Sequence, residues 1–243
     1  NWYGGTIDFF DLTNYSKATV KVTRGTTLNY SKTAEKASFF TKVAEKFDRK
    51  NATLVENKFS FTRDYADNFT DVTANAWFYS YVRDAYRIGL ANGTSATKFS
   101  PDGSFTVAQA LTAAANIHTI YNGKSVNTAG AKNWYDPYVD YCIANGIIKA
   151  GQFANYNAPI TRGDMAIVFA NILPDSEYAA VRSGSNPDVT SNLACYAAVQ
   201  KLYNAGIVGG DAGTGNYRPN DGIKRSEACV IFTRIAMADM RAK

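Results

Sequence analysis

The sequence predicts a mainly α-helical fold of three repeats, with a small α+β segment ahead of them. An amphipathic stretch from Asp71 to Gly93 comes first, its pattern returns twice, and each copy is followed by a second apolar run with its own helix-start signal. In the first copy Trp77, Tyr81, Val82, Ala85, Tyr86 and Ile88 share one face at helical spacing, while Arg83, Asp84 and Arg87 point elsewhere. Gly89 then supplies a residue that tolerates positive φ, with apolar Leu90 just beyond it, so the helix ends there.

The recurrence is set by spacing. Val82 stands seven residues before Gly89, Val139 seven before Gly146 and Val199 seven before Gly206, so the copies are 57 and then 60 residues apart. A period of that size suits units of two helices and a turn. Ile88-Gly89-Leu90, Asn145-Gly146-Ile147 and Ala205-Gly206-Ile207 repeat the cap chemistry, and Trp77 matches Trp134, with Ala194 in that place in the third copy. The second helix of each copy opens at Thr106-Val107-Ala108-Gln109, Thr161-Arg162-Gly163-Asp164 and Lys224-Arg225-Ser226-Glu227, which read as capping boxes or near relatives.

The ordered set of Phe69-Thr70-Asp71-Val72, a Trp, Gly-Ile/Leu, Phe99-Ser100-Pro101 and Thr161-Arg162-Gly163-Asp164 resembles the S-layer homology (SLH) domain family, over residues 67 to 240. The resemblance implies three tandem repeats, at 67–121, 131–174 and 185–240, in a pseudo-threefold trefoil of helical hairpins with ligand grooves between neighbours. It also implies non-covalent attachment to an acidic cell-wall polysaccharide, often one bearing pyruvate ketals, by a secreted protein at the wall or surface of a bacterium. No cofactor, catalytic residue or metal belongs to that expectation, and the trefoil is expected to be a monomer.

Composition agrees with a globular chain. With 243 residues and 46% hydrophobic content it can bury one large core or two smaller ones. The apolar runs fall short of the roughly 18 residues that a membrane span needs, and no signal peptide is visible at Asn1, so an exported protein would have lost one or be a fragment. The net charge of +5 is uneven: residues 1–65 hold eleven Lys/Arg against seven Asp/Glu, the remainder fifteen against fourteen. Nothing interleaves a basic run with aromatics as nucleic-acid binding would require.

Residues 1–65 lie outside the resemblance and have no assigned role. Ala18, Val20 and Val22 alternate with polar residues as a strand, Thr33 to Asp48 reads as a helix with Ala37, Phe40, Val43, Ala44 and Phe47 on one face, and Phe59 and Phe61 alternate as a second strand. Cys142, Cys195 and Cys229 read as buried thiols, with a Cys195–Cys229 disulfide as the alternative. One His and no CxxC spacing argue against zinc, and His118, amid apolar residues, reads as structural.

The binding candidates rest on charge and shape. Arg162 and Arg225 sit in the first turn of a helix, where the dipole disfavours a cation, so each needs an anion nearby. That anion is either the carboxylate two residues on, Asp164 or Glu227, or a ligand carboxylate held by the guanidinium; the family resemblance favours the ligand. Trp77 and Trp134 read as core or as platforms for a sugar ring. Asp71 and Asp188 read as helix caps, while the family resemblance implies that they belong to the groove, and Gly93, Gly151 and Gly210 read as turn residues or as places where backbone N–H groups approach a sugar. Repeat one has Val107 where the other two have Arg. The expectation is a binding protein and not an enzyme; the rival readings are a polysaccharide-processing activity in residues 1–65 or in a catalytic region outside this sequence, and a protein-interaction module with degenerate repeats.

Overall fold

The computed structural model describes residues 58–243 and the backbone of two strands, β1 (Thr26–Ser31) and β2 (Ala52–Asn57). The chain forms two units, Asn1–Ser60 and Phe61–Lys243. In the first, β1 and β2 pair in parallel with Thr26 opposite Ala52 and Ser31 opposite Asn57. The strand expected at Ala18 to Val22 and the helix at Thr33 to Asp48 lie outside the described residues. The strand expected around Phe59 and Phe61 does not form. The backbone N–H groups of Thr62 and Arg63 both donate to the Arg87 carbonyl at 2.8 and 3.2 Å, which leaves no ladder there, and Phe61 lies under the Arg87 guanidinium.

The second unit is mainly helical: α1 (Tyr79–Ile88), α2 (Val107–Asn122), α3 (Asp136–Ala144), α4 (Arg162–Ala170), α5 (Tyr196–Asn204) and α6 (Arg225–Ala236). The glycine stops act as expected. Gly89 caps α1 at φ 92° with its N–H on the last turn, Leu90 folds back into the core, and Gly146 and Gly206 take the same left-handed conformation. Within α1, Val82, Ala85 and Ile88 are buried as the periodicity predicts. Asp84, placed off that face by the sequence, is buried too, because Arg83 and Arg87 supply its ion-pair partners at 2.8 and 3.8 Å.

Each lobe combines two repeats. The first helix of a repeat packs on the second helix of the repeat before it: α3 on α2, α5 on α4 and, closing the ring, α1 on α6. Backbone bridges draw the same ring, joining Thr106 to Pro159, Thr161 to Gly222 and Ser104 to Lys224. Its hydrogen bonds solve a problem every helix has, namely unpartnered N–H groups in the first turn. The first two N–H groups of α2 donate to the carbonyls of Ala158 and Tyr156, those of α4 to Asp221 and Pro219, and those of α6 to Gly103 and Pro101. The third is met at Thr106 and Thr161 by the side-chain hydroxyl. Phe105, Phe169 and Phe232 meet at the centre, with Phe169 and Phe232 stacked 5.3 Å apart.

All three cysteines are free and buried. Burial pushes the Cys142 and Cys229 thiols up to about 12, which suppresses the reactive thiolate. Alkylation of the native protein is therefore expected to be slow, and alkylation of the denatured, unreduced protein to modify all three; mass spectrometry showing Cys195 and Cys229 protected as a pair would contradict this. His118 accepts or donates at Nδ1 to the Tyr141 hydroxyl at 2.8 Å, tying α2 to α3.

Candidate functional site

The ring leaves a groove wherever the second helices of two successive repeats meet the loop after a first helix. One groove holds a cavity of about 370 Å³. Its floor is Phe99, Phe105 and Phe232, one wall is the α2 face with Gln109, Thr112, Ala113 and Asn116, and the opposite wall is Arg225 and Cys229 on α6. Residues Leu90 to Gly93 form one end, and Trp134 of the second repeat stands at the rim. Of the residues singled out in the sequence, Arg225, Trp134 and Gly93 thus converge here from three repeats.

Arg225 is the first residue of α6 and is fixed from the side of repeat one. Its Nε donates to the Phe99 carbonyl at 2.9 Å, its Nη2 to the Asn92 carbonyl at 2.7 Å, and its guanidinium lies 4.7 Å over the Phe99 ring. Among the described residues no carboxylate lies within ion-pair distance of it, and burial lowers its pKa from the usual value. This desolvated cation, with Nη1 unused, is the kind of group that an anionic ligand partners well. Gln109 accepts the Thr106 N–H with Oε1, leaving its amide nitrogen free to donate, and Asn116 adds a second amide on the same face.

Arg162 occupies the matching place on α4, but its charge is paired with a carboxylate of the protein. Its Nη1 pairs with Glu227 at 3.0 Å, its Nε donates to the Tyr217 carbonyl at 2.7 Å, and its side chain is 13% exposed. The carboxylate it uses is Glu227 of the next repeat; Asp164, two residues on, instead accepts from the Thr161 hydroxyl. Arg234 of α6 stands where α2 has Asn116, and it donates to the Ile207 carbonyl at 3.2 Å and lies over the Tyr81 ring. Between α2 and α4, Val107 takes the Arg place, and its backbone N–H donates to the Ala158 carbonyl at 3.0 Å.

The other candidates separate. Trp77 and Trp134 are 64% and 57% exposed, because each helix begins two residues later than the Trp, so the ring stays off the buried face. Each instead sits edge-on against its neighbour, Phe78 at 5.4 Å and Tyr135 at 5.5 Å, both at 84°. Asp71 and Asp188 do not cap the helices that follow, whose N-cap residues are Phe78 and Cys195. Asp71 accepts the Phe99 and Ser100 N–H groups, and Asp188 those of Tyr217 and Arg218, so each holds the loop that carries the aromatic under an arginine. Burial alone would raise the Asp71 carboxyl, but these N–H groups bring it below its usual value.

Gly93 and Gly210 are required by close packing: a Cβ would lie 2.4 Å from the Ser95 carbonyl oxygen in one and 1.9 Å from that of Gly215 in the other. Gly151 needs only its positive φ. Sequence reasoning missed Asn116 as a groove residue. The signal was there in the helical spacing of 109, 112, 113 and 116, a face of polar and small residues on an otherwise apolar helix.

Comparison with known proteins agrees with this geometry. The S-layer homology domain model matches residues 68–111 and 187–229. The chain is 30% identical over 131 residues to the surface-layer 125 kDa protein of Lysinibacillus sphaericus, a match covering 50% of this chain and 11% of that protein. It is 27% identical over 177 residues to an endoglucanase of Bacillus sp. (strain KSM-635), 69% of this chain and 18% of the enzyme. The chain therefore spans under a fifth of the length of these relatives.

Proposed function

Because the chain belongs to the S-layer homology domain family, whose members anchor proteins to the cell wall, we propose that it holds a surface protein to a bacterial wall by binding an acidic, pyruvate-bearing secondary polysaccharide, without chemistry of its own. The observation that carries this is Arg225, a half-buried guanidinium without a carboxylate partner among the described residues, opening on a cavity of about 370 Å³ that Trp134 flanks. The cavity suits one sugar unit: aromatic floor, amide donors on one wall, a cation for its carboxylate, and an exposed indole face on which a neighbouring ring can stack.

Co-sedimentation with purified walls is the direct test. The protein is expected to pellet with walls that retain the secondary polymer and to stay in solution once the polymer is stripped or its ketals are removed. Equal pelleting with stripped walls would mean that another wall component, or a protein, is the partner.

A further inference from the structure

We infer that the residue two places after the groove arginine's counterpart, Gln109 on α2 and Glu227 on α6, selects which groove accepts an anion, so that Gln109 opens the Arg225 groove and Glu227 holds the Arg162 groove closed to it. The inference rests on the wall-binding reading above and adds the determinant of its specificity.

The two positions are alike in backbone role. Gln109 Oε1 accepts the Thr106 N–H at 3.2 Å and Glu227 Oε2 accepts the Lys224 N–H at 2.9 Å, each closing the first turn of its helix. They differ in the atom left over. The second Glu227 oxygen lies 3.0 Å from Arg162 Nη1 and neutralises it, whereas Gln109 presents an amide nitrogen, which can donate to a ligand but cannot pair with Arg225. A carboxylate entering the Arg162 groove has to displace Glu227 from a guanidinium that is 13% exposed; one entering the Arg225 groove displaces nothing charged. Both grooves carry an arginine, and the neighbouring wall decides whether its charge is available.

The experiment is calorimetry of the full chain with a pyruvylated wall saccharide, and with the same saccharide after mild acid has removed the ketal. The wild-type chain is expected to show one tight site. Gln109→Glu keeps the helix cap and places an oxygen beside Arg225, so it is expected to weaken that site by about ten- to a hundredfold, the range of one charge-assisted hydrogen bond, and to leave the weaker binding of the de-ketalised saccharide unchanged. Glu227→Gln is expected to add a second site for the pyruvylated saccharide. Two equal sites in the wild type, or wild-type affinity in Gln109→Glu with an unchanged melting temperature, would overturn the selector. If Gln109→Glu is silent while Arg225→Ala abolishes binding, the selector fails and wall binding stands; if Arg225→Ala is silent too, both fail.

Discussion

A chain cut after Asn122 is expected to lose its cooperative melting transition. Such a fragment contains α1 and α2, yet α1 packs on α6 and α2 on α3, so no lobe would be complete. Val82, Ala85 and Ile88 would lose their cover, and the first two N–H groups of α2 would lose the Ala158 and Tyr156 carbonyls. Exposing several fully buried aliphatic side chains costs about 1.5–3 kcal/mol each, which exceeds the stability of a typical domain when summed over two faces. Calorimetric melting of the fragment beside the whole chain decides it: a cooperative transition at the full-length temperature would show that a repeat folds alone and that the ring is not the folding unit.

Arg225→Ala is expected to weaken binding of a pyruvylated wall saccharide by about one to two orders of magnitude, the loss of a charge-assisted hydrogen bond at roughly 1.5–3 kcal/mol. The same change removes two hydrogen bonds to repeat one, so a lower melting temperature is expected alongside it. Lys224→Ala separates charge from site. Its ammonium pairs with Asp102 at 2.7 Å on the solvent side, and its loss should shift affinity by less than about threefold. Arg162→Ala is expected to register mainly as lost stability, since it strands Glu227 and the Tyr217 carbonyl rather than opening a ligand contact. Titration of the folded variants would sink the site assignment if Arg225→Ala bound as tightly as the wild type.

Much of the fold was legible because its signals are local. A glycine after an apolar helix, a threonine three residues before Gln109 or Asp164, and a 57-to-60-residue spacing each report chemistry contained within a few residues or within a repeat. What was not legible depends on partners far away in sequence. Arg162 and Arg225 look alike, and only the ring shows that one faces Glu227 and the other Gln109. Trp77 was placed on the helix face by periodicity, but α1 starts at Tyr79 and the indole remains outside. Asp71 has the spacing of a cap, yet its carboxylate is spent on amides 28 and 29 residues later.

The closing lobe also dictates when the chain can fold. The Thr233 hydroxyl bonds the Tyr81 carbonyl across 152 residues, and Arg225 reaches Asn92 across 133, so the first helix of the array waits for the last. Contacts so distant in sequence carry a large loop-closure entropy before they return any energy, and folds rich in them form slowly. A chain emerging N-terminus first can assemble α2 with α3 early, but its ring stays open until α6 has emerged.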